Sequence, residues 1–251
     1  MAEFTSWMDF IRFSDAVRWR YRFVQPDSIA LFLDTLVDTC SSRRREIPIK
    51  FPLWRAQLGS ETSERQISDT DKNIVIDEPI PFSITRMKPL RNAAHEGRMN
   101  AKGIPCLYLS TDKHTAMAEV RPWLGAKVST GYFKTTRALT VIDFSVGHDS
   151  ELDLDWMIRD LSATEKEAAV WAQVDKAFSA PVMDNPGTAE YVPTQIIAET
   201  FRNRDYDGVV YKSLLGPGFN FALFDLDAAK VVTRGLYNTK SLSFLFEEDM
   251  K

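Results

Sequence analysis

Residues 103–122, "GIPCLYLSTDKHTAMAEVRP", read as a buried strand, a tight turn and a short helix. The run Cys106–Ser110 places Leu107 and Leu109 on one face and Cys106, Tyr108 and Ser110 on the other, because successive strand side chains point to opposite faces. Thr111 or Asp112 is suited to cap the helix that follows, and Pro122 to stop it. Glu119 then falls in the last helical turn, where a carboxylate opposes the helix dipole at a cost of about 0.3–1 kcal/mol. At 100° per residue it flanks an apolar arc of Ala116, Val120 and Trp123. A carboxylate at the edge of a buried face needs a partner or a task.

Working outward, apolar strands and amphipathic helices mix without steady βαβ alternation, which predicts an α+β fold over a doubly wound sheet. Residues 1–46 read as helical. "SIALFLDTLVDTC" (28–40) has helical spacing with Ser28 as N-cap, and the basic run Arg43–Arg45 reads as a solvated helix end. This gives an N-terminal extension, 1–48, packed on a domain formed by 49–251.

Within that domain "FPLWRAQL" is a strand, residues 59–80 an irregular polar insertion and 81–102 a further loop. "VSTGYFKTTRALTVIDFS" supplies two strands, and residues 153–181 and 192–203 are helices, the second with Pro193 in its first turn. "DGVVYKS" and "FNFALFD" are strands joined by the glycine-rich "LLGPG".

Composition narrows the chemistry. With 251 residues and 44% hydrophobic side chains, the chain can bury a large core. No apolar run reaches the roughly 20 residues that span a bilayer, and the N-terminus lacks a signal-peptide pattern, so a cytoplasmic protein is expected. A formal charge of −4 disfavours direct nucleic-acid binding. Cys40 and Cys106 make no disulfide framework and no cysteine–histidine cluster has zinc spacing. The isolated histidines and the missing G-x-S-x-G, Walker and dinucleotide fingerprints remove triad and phosphate-loop schemes.

What remains is a set of scattered polar residues in apolar or glycine-bearing surroundings. Tyr108 offers an aromatic wall for a flat ring. Arg98 sits beside Gly97 in "EGRMN", and Arg55 lies inside an apolar strand where a guanidinium demands an anion. Ser213 and Asn220 flank the glycine loop. Each has an ordinary structural reading alone: Glu119 paired with Arg121 at the surface, Tyr108 in the core, Arg98 exposed, Ser213 and Asn220 in a hairpin connection.

Taken in order, "EGRMNAKGIPCLYLSTDKHTAMAEV", "YVPTQIIAETFRNRDYDGVVYKS" and "GPGFNFALFD" resemble the RES domain family, the toxins of bacterial RES–Xre toxin–antitoxin pairs. The resemblance covers most of residues 50–227. It implies an ADP-ribosyltransferase-like mixed sheet, NAD+ as substrate, no metal, and an Xre-type DNA-binding antitoxin as partner. Arg98, Tyr108, Glu119 and Ser213 match the family's arginine, tyrosine, glutamate and serine. The resemblance implies that Arg55 and Asn220 join Arg98, Tyr108 and Ser213 in holding the dinucleotide. The N-terminal extension and the 59–96 segment exceed compact members.

The resemblance implies cleavage of the nicotinamide–ribose bond, either as an NAD+ glycohydrolase or by transfer of ADP-ribose to a protein. A RES-fold binding module without activity is the non-enzymatic alternative. Cleavage passes through an oxocarbenium-like state that one carboxylate can stabilise, which accounts for a glutamate set against the helix dipole.

Overall fold

The computed structural model describes residues 3–69, 72–91, 93–148, 159–180 and 189–243. In chain order its elements are α1 (Asp9–Trp19), α2 (Asp27–Asp38), β1 (Arg44–Ile47), β2 (Pro52–Leu58), β3 (Glu61–Asp69) and β4 (Lys72–Ile80). There follow β5 (Leu107–Ser110), α3 (Lys113–Glu119), β6 (Lys127–Thr135), β7 (Leu139–Asp143), α4 (Ala163–Ser179) and α5 (Val192–Arg202). The last three are β8 (Gly208–Lys212), β9 (Phe219–Leu223) and β10 (Ala229–Asn238).

Eight strands form one mixed sheet in the order β1-β7-β8-β9-β5-β2-β6-β10, and β3 and β4 form a separate two-stranded sheet. β7 and β8 run parallel, while the neighbouring pairs of the large sheet on either side are antiparallel. The α+β expectation holds.

Period-two patterning decides which core each strand residue enters. Ile142, Val209, Tyr211, Ala222 and Cys106 pack with the helices α1, α2, α4 and α5. Val141, Val210, Phe221, Leu223, Leu107 and Leu109 build a second cluster with Leu53, Met87 and Phe133. Both faces of β5 are therefore covered, and Tyr108 packs against the helical core rather than standing on a polar face.

The N-terminal segment is part of this arrangement. Phe13 and Phe32 stack with centroids 4.6 Å apart, and Leu36 is wholly buried in the helical core. Trp171 Nε1 donates to Thr39 Oγ1 at 3.1 Å. The reading of residues 1–46 as helical fails at its end, since Arg44–Ile47 is a strand that pairs with β7 along its length. Nor is Arg43 solvated: it is buried, donates to the Val146 carbonyl at 2.8 Å and lies 4.3 Å over Trp171. α2 begins at Asp27 after Pro26, one residue before the expected cap.

Two more expectations need correction. The insertion at 59–80 is a hairpin, β3 with β4, paired from Glu61↔Ile80 to Asp69↔Lys72. Strand β10, unassigned from the sequence, pairs with β6. α4 opens with a full capping box between Ser162 and Glu165, as its sequence pattern favours. The helix expected at 153–181 is shorter than expected, since Arg159–Ser162 are not helical and Ser162 caps a helix that starts at Ala163; residues 153–158 and Pro181 lie outside the described residues. α5 carries proline in its first turn as expected.

Candidate active site

The sheet parts between β2 and β5. These strands share one register pair, Trp54↔Ser110, after which Arg55–Leu58 pairs with β6 and Leu107–Leu109 with β9. A cavity of about 430 Å3 occupies the opening, lined by Arg55, Arg98, Tyr108, Glu119, Tyr211 and Asn220 among others. Five of the residues singled out from the sequence thus converge on one cavity. Ser213 is buried behind Glu119 and reaches the site through it.

Glu119 is the last residue of α3, and Asp112 caps that helix by accepting from the amides of His114 and Thr115. The helix ends before Pro122: Arg121 takes φ +46, the left-handed conformation that often closes a helix. The helical arc therefore does not extend to Trp123, which is exposed. Glu119 is half-buried. Its Oε1 accepts from Ser213 Oγ at 2.6 Å and from Asn220 Nδ2 at 2.6 Å. Hydrogen bonds to a charged group contribute about 1.5–3 kcal/mol each, which outweighs the dipole cost of about 0.3–1 kcal/mol. Among the described residues no cation stands within ion-pair distance of Glu119 and nothing donates to Oε2.

The connection after β8 is clamped to α3, which is what carries the donors to the carboxylate. Gly218 N donates to Thr115 Oγ1 at 3.0 Å, and Phe219 N donates to Thr111 Oγ1 at 2.9 Å. A Cβ on Gly216 would stand 2.6 Å from Thr115 Oγ1, and one on Gly218 would stand 2.5 Å from Asp112 Oδ2. The "GPG" glycines serve close approach here, which the phosphate-loop comparison did not reveal.

Arg98 lines the cavity, but both terminal nitrogens donate to carbonyls at the end of α4, those of Phe178 and Ala180. Its guanidinium carbon also lies 5.8 Å from the Tyr211 ring centroid. The loop that holds it is set by Tyr108, whose hydroxyl donates to Asn100 Oδ1 at 2.6 Å and accepts from Met99 N at 3.0 Å. Burial pushes the Tyr108 phenol well above its ordinary value, so it stays protonated and a donor. Burial likewise raises the Tyr211 phenol, with Glu119 adding to the rise.

Arg55 crosses the opening. Its Nη1 donates to the Tyr108 carbonyl at 2.9 Å, while its buried Nε has no hydrogen-bond partner. Burial lowers the guanidinium to about 10, still charged at neutral pH. Among the described residues no carboxylate acts on it, and it lines the cavity.

Sequence reading missed Ser110, Tyr211 and Tyr191. Ser110 is buried and donates to Asn220 Oδ1 at 2.7 Å; its signal was the polar end of an apolar strand. Tyr211 and Tyr191 line the cavity but sit in strand and helix-start sequence that packing alone explains. Among the described residues no group of His, Cys, Asp and Glu could hold a metal ion, and no helix is long and apolar enough to cross a membrane.

A comparison with curated proteins finds no match. A solved structure, the M. tuberculosis MbcT-MbcA toxin-antitoxin complex, holds a chain similar to this one at 15% identity and a TM-score of 0.41, covering 82% of this chain and 92% of that chain. The family model of the RES domain matches residues 79–246. That span holds Arg98, Tyr108, Glu119, Ser213 and Asn220, and most of the chain. The protein belongs to the RES domain family.

Proposed function

We propose that the protein is an NAD+ glycohydrolase that breaks the nicotinamide–ribose bond, acting as the toxin of a pair whose Xre-type antitoxin restrains it. The observation that carries this reading is Glu119: a half-buried carboxylate on a cavity wall, with one oxygen held by two donors and the other without a donor among the described residues. Membership of the RES family supports the same chemistry and the toxin role.

In the reaction the bond between the ribose anomeric carbon and the pyridinium nitrogen breaks. Its electron pair passes to that nitrogen, which leaves as neutral nicotinamide. Positive charge develops on the sugar. Glu119 Oε2 accepts a ribose hydroxyl and faces that charge, while Ser213 and Asn220 keep the carboxylate from rotating. Water adds to the sugar carbon, giving ADP-ribose and one proton. Arg55 holds the pyrophosphate, and Tyr108 shapes the wall beside the ring and fixes the Arg98 loop. No step calls for a metal or a second cofactor.

Incubation with NAD+ and quantitation of free nicotinamide tests the reading. Release by the wild type that disappears in Glu119→Gln is the expected result, and equal release by both proteins overturns it. Label from adenylate-labelled NAD+ retained on a protein band in lysate, without free ADP-ribose, replaces hydrolysis with ADP-ribosyl transfer.

A further inference from the structure

Tyr211 lines the Glu119 cavity and is only 7% exposed. Its hydroxyl has no hydrogen-bond partner among the described residues, yet it is not one of the polar atoms sealed from solvent. A buried phenol ordinarily finds a partner. Tyr108 differs in this respect, because its hydroxyl is occupied twice, by Asn100 Oδ1 at 2.6 Å and by Met99 N at 3.0 Å. The hydroxyl left open to a molecule in the cavity is that of Tyr211.

The sheet sets where that group stands. Asn220 is the register partner of Tyr211 on one side and of Ser110 on the other, and residues directly opposite in antiparallel strands share a face. Tyr211, Asn220 and Ser110 therefore form a row across β8, β9 and β5, and all three line the cavity. Asn220 donates to Glu119 Oε1, so Tyr211 is one strand away from a residue that holds the carboxylate. Burial raises the phenol, Arg98 opposes that rise and Glu119 adds to it. Tyr211 thus stays protonated at neutral pH and acts as a donor, near both the acid and the guanidinium. Tyr191 also lines the cavity, but it stands at the head of α5, outside this row.

A carboxylate oxygen without a donor and a neutral phenol without an acceptor, in one cavity, match a vicinal diol. One hydroxyl of the diol donates to the acid and its neighbour accepts from the phenol. The ribose on the nicotinamide side of NAD+ carries such a pair next to the bond that breaks. We propose that Tyr211 contacts the substrate by donating to the second hydroxyl of that ribose while Glu119 takes the first. The proposal rests on the NAD+ reading of the Glu119 cavity and adds to it a specificity-determining residue that selects a ribose over a deoxyribose. A sugar held by both hydroxyls does not swing about its contact with Glu119, so its anomeric carbon keeps its place opposite the carboxylate.

The test follows nicotinamide release by the wild type and Tyr211→Phe from NAD+ and from two analogues, one lacking the 2′ and one the 3′ hydroxyl of the nicotinamide ribose. Loss of a hydroxyl without a protein partner leaves the fold intact, which thermal melts verify. Tyr211→Phe is expected to lower kcat/KM for NAD+ about tenfold, the size of one lost hydrogen bond. On the analogue that lacks the hydroxyl held by Tyr211, the two proteins are expected to differ by less than about twofold. On the other analogue the difference of about tenfold persists. An analogue cleaved too slowly to follow is read by its inhibition constant against NAD+, compared between the two proteins in the same way. Tyr108→Phe is expected to keep the wild-type ratios among the three substrates, because its hydroxyl is engaged within the protein. An equal loss on all three substrates, or no loss on NAD+, overturns the Tyr211 assignment even when NAD+ is cleaved. Absence of nicotinamide release from NAD+ by the wild type overturns the NAD+ reading itself, and the assignment with it.

Discussion

Ser110 Oγ donates to Asn220 Oδ1 at 2.7 Å, which turns the amide nitrogen of Asn220 toward Glu119. Without that donor the amide loses its fixed sense, and its oxygen can face the carboxylate instead. Ser110→Ala is therefore expected to lower kcat about tenfold with little change in KM, since a neutral hydrogen bond contributes about 0.5–1.5 kcal/mol and about 1.4 kcal/mol is tenfold in rate. Ser110→Thr, which keeps the hydroxyl, is expected to retain most activity. Nicotinamide release at saturating NAD+ reads both.

Glu119→Gln preserves shape and still accepts from Ser213 and Asn220, so the fold is expected to persist with a melting temperature near that of the wild type. What it loses is the negative charge opposite the developing cation. Removal of one such electrostatic group typically costs about 10²–10³ in kcat. A variant that melts normally yet releases nicotinamide within tenfold of the wild-type rate contradicts the assignment.

At Gly97 the backbone is hemmed in by the groups that set the Arg98 loop. An added Cβ would stand 2.7 Å from Tyr108 Oη and 2.8 Å from Asn100 Oδ1. Gly97→Ala must displace one of two mutually bonded side chains, and a destabilisation of about 1–3 kcal/mol is expected. Tyr108→Phe removes the bonds without adding volume and is expected to cost about 0.5–1.5 kcal/mol. Urea unfolding of the two variants separates these effects.

Acid stability has a nameable contributor in the α4 cap. Hydrogen bonding from Arg159, at 2.6 Å and 3.2 Å, and then from Ser162, holds Glu165 down at about 2. A carboxylate with a depressed folded-state value contributes stability above its unfolded value, about 4.5, and loses it as pH falls toward 2. Glu165→Gln is expected to flatten the decline of the urea midpoint between those two pH values, whereas a parallel decline in variant and wild type argues against it.

The N-terminal segment packs as part of the main core, with buried side chains from Phe4 to Cys40. Leu36 is wholly buried there, and Leu36→Ala is expected to cost about 2–5 kcal/mol, measured by chemical denaturation. A chain started at residue 49 loses β1 and the α1–α2 hairpin and is expected to be recovered unfolded or insoluble. Recovery of such a chain with a sharp thermal transition contradicts this.

The site was more legible in the sequence than the sheet around it, for physical reasons. Glu119, Tyr108 and Arg55 stand out because each is a polar group among apolar neighbours, a costly arrangement unless it is used. β5 through β9 announce themselves by alternation. β3 does not, because Glu61–Gln66 carries no apolar side chain to alternate with the polar ones. β10 carries Val231 and Val232 side by side across a register shift, which breaks the alternation. β1 was hidden by its three charged residues at a sheet edge, where charge is tolerated and discourages further pairing. Ser110 was placed on the Tyr108 face but given no role, because what it does depends on Asn220, 110 residues further along the chain.

That same distance governs when the protein first becomes dangerous to its host under the toxin reading. Asn220 is separated from Glu119 by 101 residues and Ser213 by 94, and non-local closures of this kind form late. A nascent chain still lacking β9 has the carboxylate without one of its donors. During translation, then, the ribosome carries an unarmed polypeptide, and an inhibitor that captures the finished fold has the whole synthesis time in which to accumulate.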